Sequence, residues 1–456
     1  MRSLLLVLLL PFTLPAQETL AARAERYLVD LLRLDTSNLP GNETIVAQYI
    51  AREMQQHSIP CELLGGDPQR MNIICRLAGG KEKRPLLIMA HSDVVPIEPK
   101  LWTVPAFEAV RKDGFIYGRG AVDTKNLLAA QMAILVELKR SGAKLNRDII
   151  LLSEADEEAG STGIQWLIRN AWDKIDAEYA LNEGGAQTAT ADGTRVYQVQ
   201  TSEKIPTRMI LTARGAAGHG SLPRKDNAVA HLADAISKLV RAYQPVSLNT
   251  TTRRYFREMA KLSEYAWLQP HLAALEDPKT RQQTANEIGD RDMELDAALR
   301  TTVSPTMLRA GMKVNVIPNQ AEAQIDVRRL PNETKEGVYA RFRQIINDPA
   351  IEVLPDPGQE MPATEPSSLT TDLYKAMESV FAREGGKSVT IPYMSRGATD
   401  GAFLRAKGMA VYGVPVFLRN GAESRAHGND ERILLTTLHE GTALLKKVIE
   451  AVALAP

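Results

Sequence analysis

Apolar residues recur along this chain in three rhythms. Between residues 17 and 57 they fall at helical spacing, through Tyr27, Leu28, Leu31 and Leu32 and again through Ile45, Val46, Tyr49 and Ile50, which predicts helices. At 85–91 (PLLIMAH) and 148–154 (DIILLSE) they run continuously, as in strands covered on both faces. Residues 124–141 lie between these runs and read as a helix stopped by Ser141-Gly142. Strands alternating with helices predict a layered α/β unit. Near residue 195 the rhythm changes. Segments 206–213 (PTRMILTA) and 321–328 (AEAQIDVR) alternate like half-exposed strands. Helices over 227–242 and 335–347, with strands near 304–310 and 350–354, complete the β-α-β-β-α-β order of a ferredoxin-like α+β unit. Within it, 243–300 is rich in charge and helix formers and reads as a helical insertion. The α/β pattern returns at 366–456, so the second unit is inserted into the first. The expected division is 17–200 and 359–456 for the first unit and 201–358 for the second. There is no internal repeat and no low-complexity tract.

A length of 456 residues suits two cores better than one. Lys+Arg and Asp+Glu both total 55, and this zero balance gives no electrostatic case for nucleic acid or an anionic membrane as partner. The first sixteen residues, MRSLLLVLLLPFTLPA, place one arginine before a leucine run and a small residue at Ala16. That run is shorter than the roughly 20 residues a bilayer span requires. It reads as a secretory signal peptide over 1–16, which predicts a periplasmic or secreted protein. The competing reading is an uncleaved anchor. The two cysteines, Cys61 and Cys75, sit in strand-like segments on either side of the turn GGDP. A hairpin would set them opposite each other, leaving a disulfide and a pair of small buried hydrophobes both open.

The polar residues that interrupt these patterns carry the candidate chemistry. His91 and Asp93 leave the same face of a strand end, so the carboxylate can orient the imidazole. Asp123 follows Gly118 and Gly120 in a sharp loop and can present two oxygens to two ions. Glu157 and Glu158 are adjacent on a strand exit, where neighbouring side chains diverge. One can bind a metal ion while the other faces the attacking water as general base. Glu183 and His427 add a further carboxylate and imidazole. Each has a plainer reading alone: an exposed pair, a helix cap, a solvated acidic loop. Together they form the nitrogen and oxygen donor set of a two-metal hydrolytic site. Of seven histidines, His57, His231, His271 and His439 fall in or beside helical patterns, whereas His91, His219 and His427 fall in Gly- or Pro-rich loops. His219 lies in the second unit and suits a hydrogen-bond donor to an oxyanion.

Nine motifs bring the chain to a family. They are HSDVVP (91–96), DGFIYGRGAVDTKN (113–126), EADEEAGSTG (154–163), LNEGG (181–185), GHGS (218–221), VNVIP (314–318), DVR (326–328), GATDG (397–401) and RAHGNDE (425–431). In this order they resemble the dizinc amidohydrolases, which include glutamate carboxypeptidase, acetylornithine deacetylase, succinyl-diaminopimelate desuccinylase, carnosinase and aminoacylases. The 243–300 stretch makes the resemblance closer to the larger branch of yeast-type carboxypeptidases and N-fatty-acyl-amino-acid hydrolases. The resemblance implies a three-layer catalytic domain with a mixed, mainly parallel sheet, and a lid domain made by the inserted unit. It implies two Zn2+ ions, replaceable by Co2+ or Mn2+. His91 and Glu183 would hold one ion, Glu158 and His427 the other, and Asp123 would bridge them, with a cis peptide between Asp123 and Thr124. Glu157 would be the general base and His219 the lid's oxyanion donor. Asn315 and Arg328 would bind the substrate carboxylate, and Gly397, Thr399 and Asp400 would line the pocket. The expected reaction is hydrolysis of an amide next to a free α-carboxylate, on a small peptide or an N-acyl amino acid; a homodimer through the lid, with His219 serving the partner, and a monomer whose extra lid structure replaces the partner both stay open. An aminopeptidase on the same fold and a non-catalytic periplasmic binding protein are the alternatives.

Overall fold

The computed structural model describes residues 18–356, 360–419 and 425–455. The signal-peptide segment 1–16 and the expected boundary at 358 lie outside the described residues. Two sheets organise the chain. In the larger, Leu86–His91 lies between Ile149–Glu154 and Tyr179–Asn182, and Ala410–Gly413 follows, all parallel. Every residue of Leu86–His91 and Ile149–Glu154 is buried, because helices cover both faces. Helices Leu20–Leu32, Lys125–Arg140 and Leu435–Ala453 pack on one face, and Thr162–Asn170, Trp172–Ile175 and Gly401–Ala406 on the other. These are three layers around a mixed sheet, with antiparallel pairs on both flanks and a parallel pair, Arg195–Glu203 with Ser388–Ser395, at one edge. At one edge the hairpin Cys61–Leu64/Asn72–Leu77 sets Cys61 opposite Cys75, and the two are disulfide-bonded.

The second sheet is antiparallel, in the order Thr302–Ala310, Gln320–Arg329, Met209–Arg214, Ile351–Pro355. Gln320–Arg329 alternates strictly in burial, and its inward residues Ala321, Ala323, Ile325 and Val327 pack on helices Ala228–Arg241 and Lys335–Ile346. This is the ferredoxin-like order. The strand expected over 206–213 is split into Ile205–Pro206 and Met209–Arg214, with a break at 207–208.

The 243–300 stretch is helical, with Thr250–Met259, Arg281–Arg291 and Met293–Leu299 its main helices. It does not extend the core of the second sheet. Phe256, Leu268, Ile288 and Leu299 form their own cluster, which closes on Val196 and Ile391 of the large sheet. The insertion therefore braces the edge strand Ser388–Ser395.

Candidate active site

The carboxyl ends of the parallel strands converge on one place, where an open α/β sheet ordinarily binds its ligands. His91 ends the strand Leu86–His91, and Glu183 follows Tyr179–Asn182. Glu157 and Glu158 lie in the turn after Ile149–Glu154. Asp123 precedes the helix Lys125–Arg140 across a cis Asp123–Thr124 peptide, as the resemblance implied. His427 reaches in from a loop, with φ of 60°.

Two groups of donors result, sharing Asp123. His91 Nε2 lies 3.3 Å from Asp123 Oδ1 and 3.6 Å from Glu183 Oε1. His427 Nε2 lies 3.1 Å from Asp123 Oδ2 and 3.0 Å from Glu158 Oε1. In each group the three ligand atoms lie within 4.8 Å of one another. His91 Nδ1 is 2.9 Å from the Asp93 carbonyl oxygen, which can only accept. Nδ1 therefore carries a proton, and Nε2 is the ring nitrogen that faces the cluster. The Asp93 carboxylate is 3.6 Å from the imidazole and does a second job: it accepts the N–H groups of Glu157 and Glu158, each at 3.1 Å, and the Asn38 amide at 2.7 Å.

The charges are strongly coupled. Burial opposes protonation of His91, but the Glu183 charge and the hydrogen bonds to Asp123 and Asp93 outweigh it and hold this imidazole well above its usual value. Hydrogen bonds to Asp123 and Glu158 raise His427 to about 10. Burial would raise Asp123, yet the two imidazoles draw it far below the carboxylate range. Burial raises Glu183 to about 8 and, with the Glu183 charge beside it, pushes Glu157 well up. Four carboxyl groups and two imidazoles thus share one site, where the surroundings favour a proton on Glu157, on Glu183 and on both imidazoles. A shared carboxylate flanked by two nitrogen-and-oxygen triads is a donor set that fits two divalent ions.

Two residues beyond the sequence expectations hold this geometry. The buried carboxylate of Glu431 accepts the Val122 and Asp123 N–H groups on one oxygen, at 2.8 and 3.1 Å. Its other oxygen takes the Gly120 N–H at 3.0 Å and Arg119 Nη1 at 2.7 Å. Asn38 ties Asp93 to Asp156, at 2.7 and 2.9 Å. Glu431 stands four residues after His427 in the motif RAHGNDE; Asn38 has no comparable signal.

The lid residues lie apart. His219 and Asn315 sit at the exposed ribbon Gly218–His219/Val316–Ile317, with His219 Nδ1 2.7 Å from Ser221 Oγ. Neither lines the two cavities that border the cluster. One cavity, of about 490 Å³, is a polar cleft walled by Glu157, Glu158, His427, Arg328, Arg329 and Gly397. The other, of about 170 Å³, opens beside Asp123 and Glu183. The Arg328 guanidinium is engaged bidentately by Asp326, at 2.8 and 3.1 Å. Thr399 and Asp400 depart from their expected place. Both are buried behind the Gly397 wall instead of lining it, because their side chains are drawn inward. Thr399 donates to Glu203, and Asp400 faces Glu154, where burial raises its carboxyl to about 7. They are supports for the wall.

Fold and site together define a metal-dependent hydrolase. The family described as Peptidase family M20/M25/M40 matches residues 87–451, and the chain belongs to it. Over 360 residues it is 28% identical to human N-fatty-acyl-amino acid synthase/hydrolase PM20D1, covering 77% of this chain and 70% of that protein. Over 364 residues it is 28% identical to the probable carboxypeptidase S-like 2 of Dictyostelium discoideum, covering 77% and 68%. The crystal structure of the M20 family metallo-carboxypeptidase Sso-CP2 from Sulfolobus solfataricus superposes with a TM-score of 0.70 at 21% identity, over 94% of this chain and 99% of that one, and shares the fold.

Proposed function

We propose that this protein hydrolyses an amide bond adjacent to a free α-carboxylate, as a carboxypeptidase, dipeptidase or N-acyl-amino-acid hydrolase. The observation that carries this reading is the pair of donor triads sharing Asp123, with Glu157 on the cleft wall next to them. His91, Asp123 and Glu183 would hold one Zn2+, and Asp123, Glu158 and His427 a second. When bound, the ions supply Lewis acidity toward a carbonyl oxygen and a water molecule. The rest falls to the chain. Glu157 takes a proton from the attacking water as its oxygen bonds to the carbonyl carbon. It delivers that proton to the leaving nitrogen as the C–N bond breaks. Asp93 keeps Glu157 and Glu158 in register through their backbone N–H groups. Arg328 and Asn315 recognise the carboxylate, and His219 steadies the oxyanion when the lid, 201–358, comes over the cleft.

A homodimer through the lid suits its edge strand Thr302–Ala310, where Met307 and Leu308 are exposed, as are Met312 and Val314 just beyond it. Export through the 1–16 segment accords with the Cys61–Cys75 disulfide. Among the described residues no helix is long and apolar enough to cross a membrane.

The Arg328–Asp326 pair favours one other reading. Asp326 could receive a substrate amine, which would make the enzyme an aminopeptidase. The test is turnover of matched N-acyl amino acids, their C-terminal amides, dipeptides and amino-acid anilides by protein loaded with Zn2+, Co2+ or Mn2+. Selective cleavage of free acids supports the proposal. Equal cleavage of acids and amides, or cleavage of anilides with a free amine alone, overturns it.

A further inference from the structure

The donor cluster stands between two unlike cavities. The lid-side cleft is mostly polar and contains Arg328, and the smaller cavity on the other side has a mixed wall with somewhat more apolar than polar surface. Its wall is built from Phe115, Leu127, Val414, Phe417, Ile433 and Leu434, with Asp123 and Glu183 at the cluster end. Arg432 also lines it, but its guanidinium lies over the Phe115 and Tyr117 rings, at 5.0 and 5.2 Å, and donates to the Tyr117 hydroxyl. Ring faces and a phenol thus stabilise the cation without neutralising it. Arg419 stands exposed on the rim and donates to the Gly185 carbonyl. Thr124, Asn126 and Thr437, all buried, are the small polar residues in the wall.

An amide held at the cluster has two halves to place. The half bearing the carboxylate belongs with the cations of the cleft. The half on the carbonyl side then extends past Asp123 and Glu183. We propose that the smaller cavity is the acyl-side specificity pocket and takes an uncharged hydrocarbon group of about six carbons against its apolar wall. Size sets the limit: the cavity measures about 170 Å³, and an apolar cavity of about 150 Å³ holds a benzene ring. Leu127 and Thr437 line it from two different helices. This inference rests on the amide-hydrolase reading above, which leaves the acyl group open.

The test uses the metal-loaded, full mature chain and the N-acetyl, N-hexanoyl, N-dodecanoyl and N-glutaryl derivatives of one accepted amino acid. The expected kcat/KM rises about two-hundredfold from acetyl to hexanoyl, four methylenes at the usual gain per buried methylene, and gains nothing further at dodecanoyl. Thr437→Phe should lower the hexanoyl-to-acetyl ratio more than tenfold, and Leu127→Ala should move the optimum to longer chains. Calorimetric binding of hexanoate against acetate provides a readout that needs no turnover and covers a Thr437→Phe protein that fails to fold, because Leu127→Ala must then alter hexanoate affinity. A flat profile across chain length, or glutaryl as the best substrate, overturns the pocket while leaving the amide-hydrolase reading intact. If no acyl amino acid is cleaved, that reading falls by itself. Hexanoate affinity unchanged by both substitutions sinks the pocket in either case.

Discussion

At the end of the large sheet, His91, Asp123 and Glu158 are fixed from behind. Asp93 holds the imidazole of His91 and the backbone of Glu157 and Glu158, and Glu431 holds the Asp123 loop by four hydrogen bonds. On the inserted sheet, His219 and Asn315 stand exposed on a ribbon of two residues per strand. The first region is preorganised by burial; the second has little to hold its side chains in one place. The contrast separates two tasks. Binding metal ions needs donors placed within a few tenths of an ångström before any substrate arrives, whereas closing over a substrate needs donors that arrive with it. Substitutions in the two regions should therefore fail in different ways.

The largest effect belongs to the rigid region. Glu157→Ala should lower turnover by about 10²–10⁴-fold, the usual contribution of a general base, while metal content by atomic absorption stays at the level of the unmodified protein. Activity within about tenfold of normal would assign Glu157 a structural part. On the lid, His219→Ala should lower kcat by about 10²–10³-fold, as loss of one oxyanion donor does, again with metal content unchanged. Mixing the two inactive variants sharpens the comparison. If His219 serves the cleft of a second copy, the mixture regains part of its activity. If it serves its own chain, the mixture stays inactive.

The third effect is read in metal affinity. In Glu431→Gln, one oxygen becomes an NH2 group that faces two N–H donors it cannot accept from. Residues that orient ligands in this way typically change metal affinity by about 10–100-fold. A chelator competition showing no change would make the Glu431 network a matter of fold stability alone.

The two regions also differed in how far they could be read from sequence. Continuous apolar runs located the covered strands, and strict alternation located Gln320–Arg329, because burial on two faces or one leaves its period in the residues. The polar residues at strand ends were visible for the same reason: they interrupt an apolar pattern where the chain leaves the core. Asn38 was not visible and Glu431 was marked only by its place in RAHGNDE, since what defines each role is the hydrogen-bond partners it meets, and those lie 55–118 and about 310 residues away in the chain. Depth was equally hidden. GATDG matched a wall-forming loop, but only packing shows Gly397 on the surface of the wall and Asp400 behind it. The insertion over 243–300 was readable as helical, yet its attachment to Val196 and Ile391 depends on a non-local surface that no period records.

The smallest effect tests what the lid recognises. Arg328 already has a carboxylate partner in Asp326, bound through two nitrogens. A substrate carboxylate would not bring a first counter-charge to a bare cation; it would compete for one that is already paired. The discrimination between an acid and its amide is then the difference between one charged hydrogen bond and a weaker neutral one, about 1.5 kcal/mol or roughly tenfold. Arg328→Ala should remove most of that preference with little change in kcat for the amide. Asp326→Asn should do the reverse: freed from its partner, the guanidinium binds the acid more tightly, so KM for acids falls while KM for amides holds. The pair of substitutions distinguishes the two readings of this site. If Asp326→Asn instead raises KM for substrates with a free amine and leaves acids untouched, Asp326 is the recognising group, and the carboxylate has its partner elsewhere in the cleft.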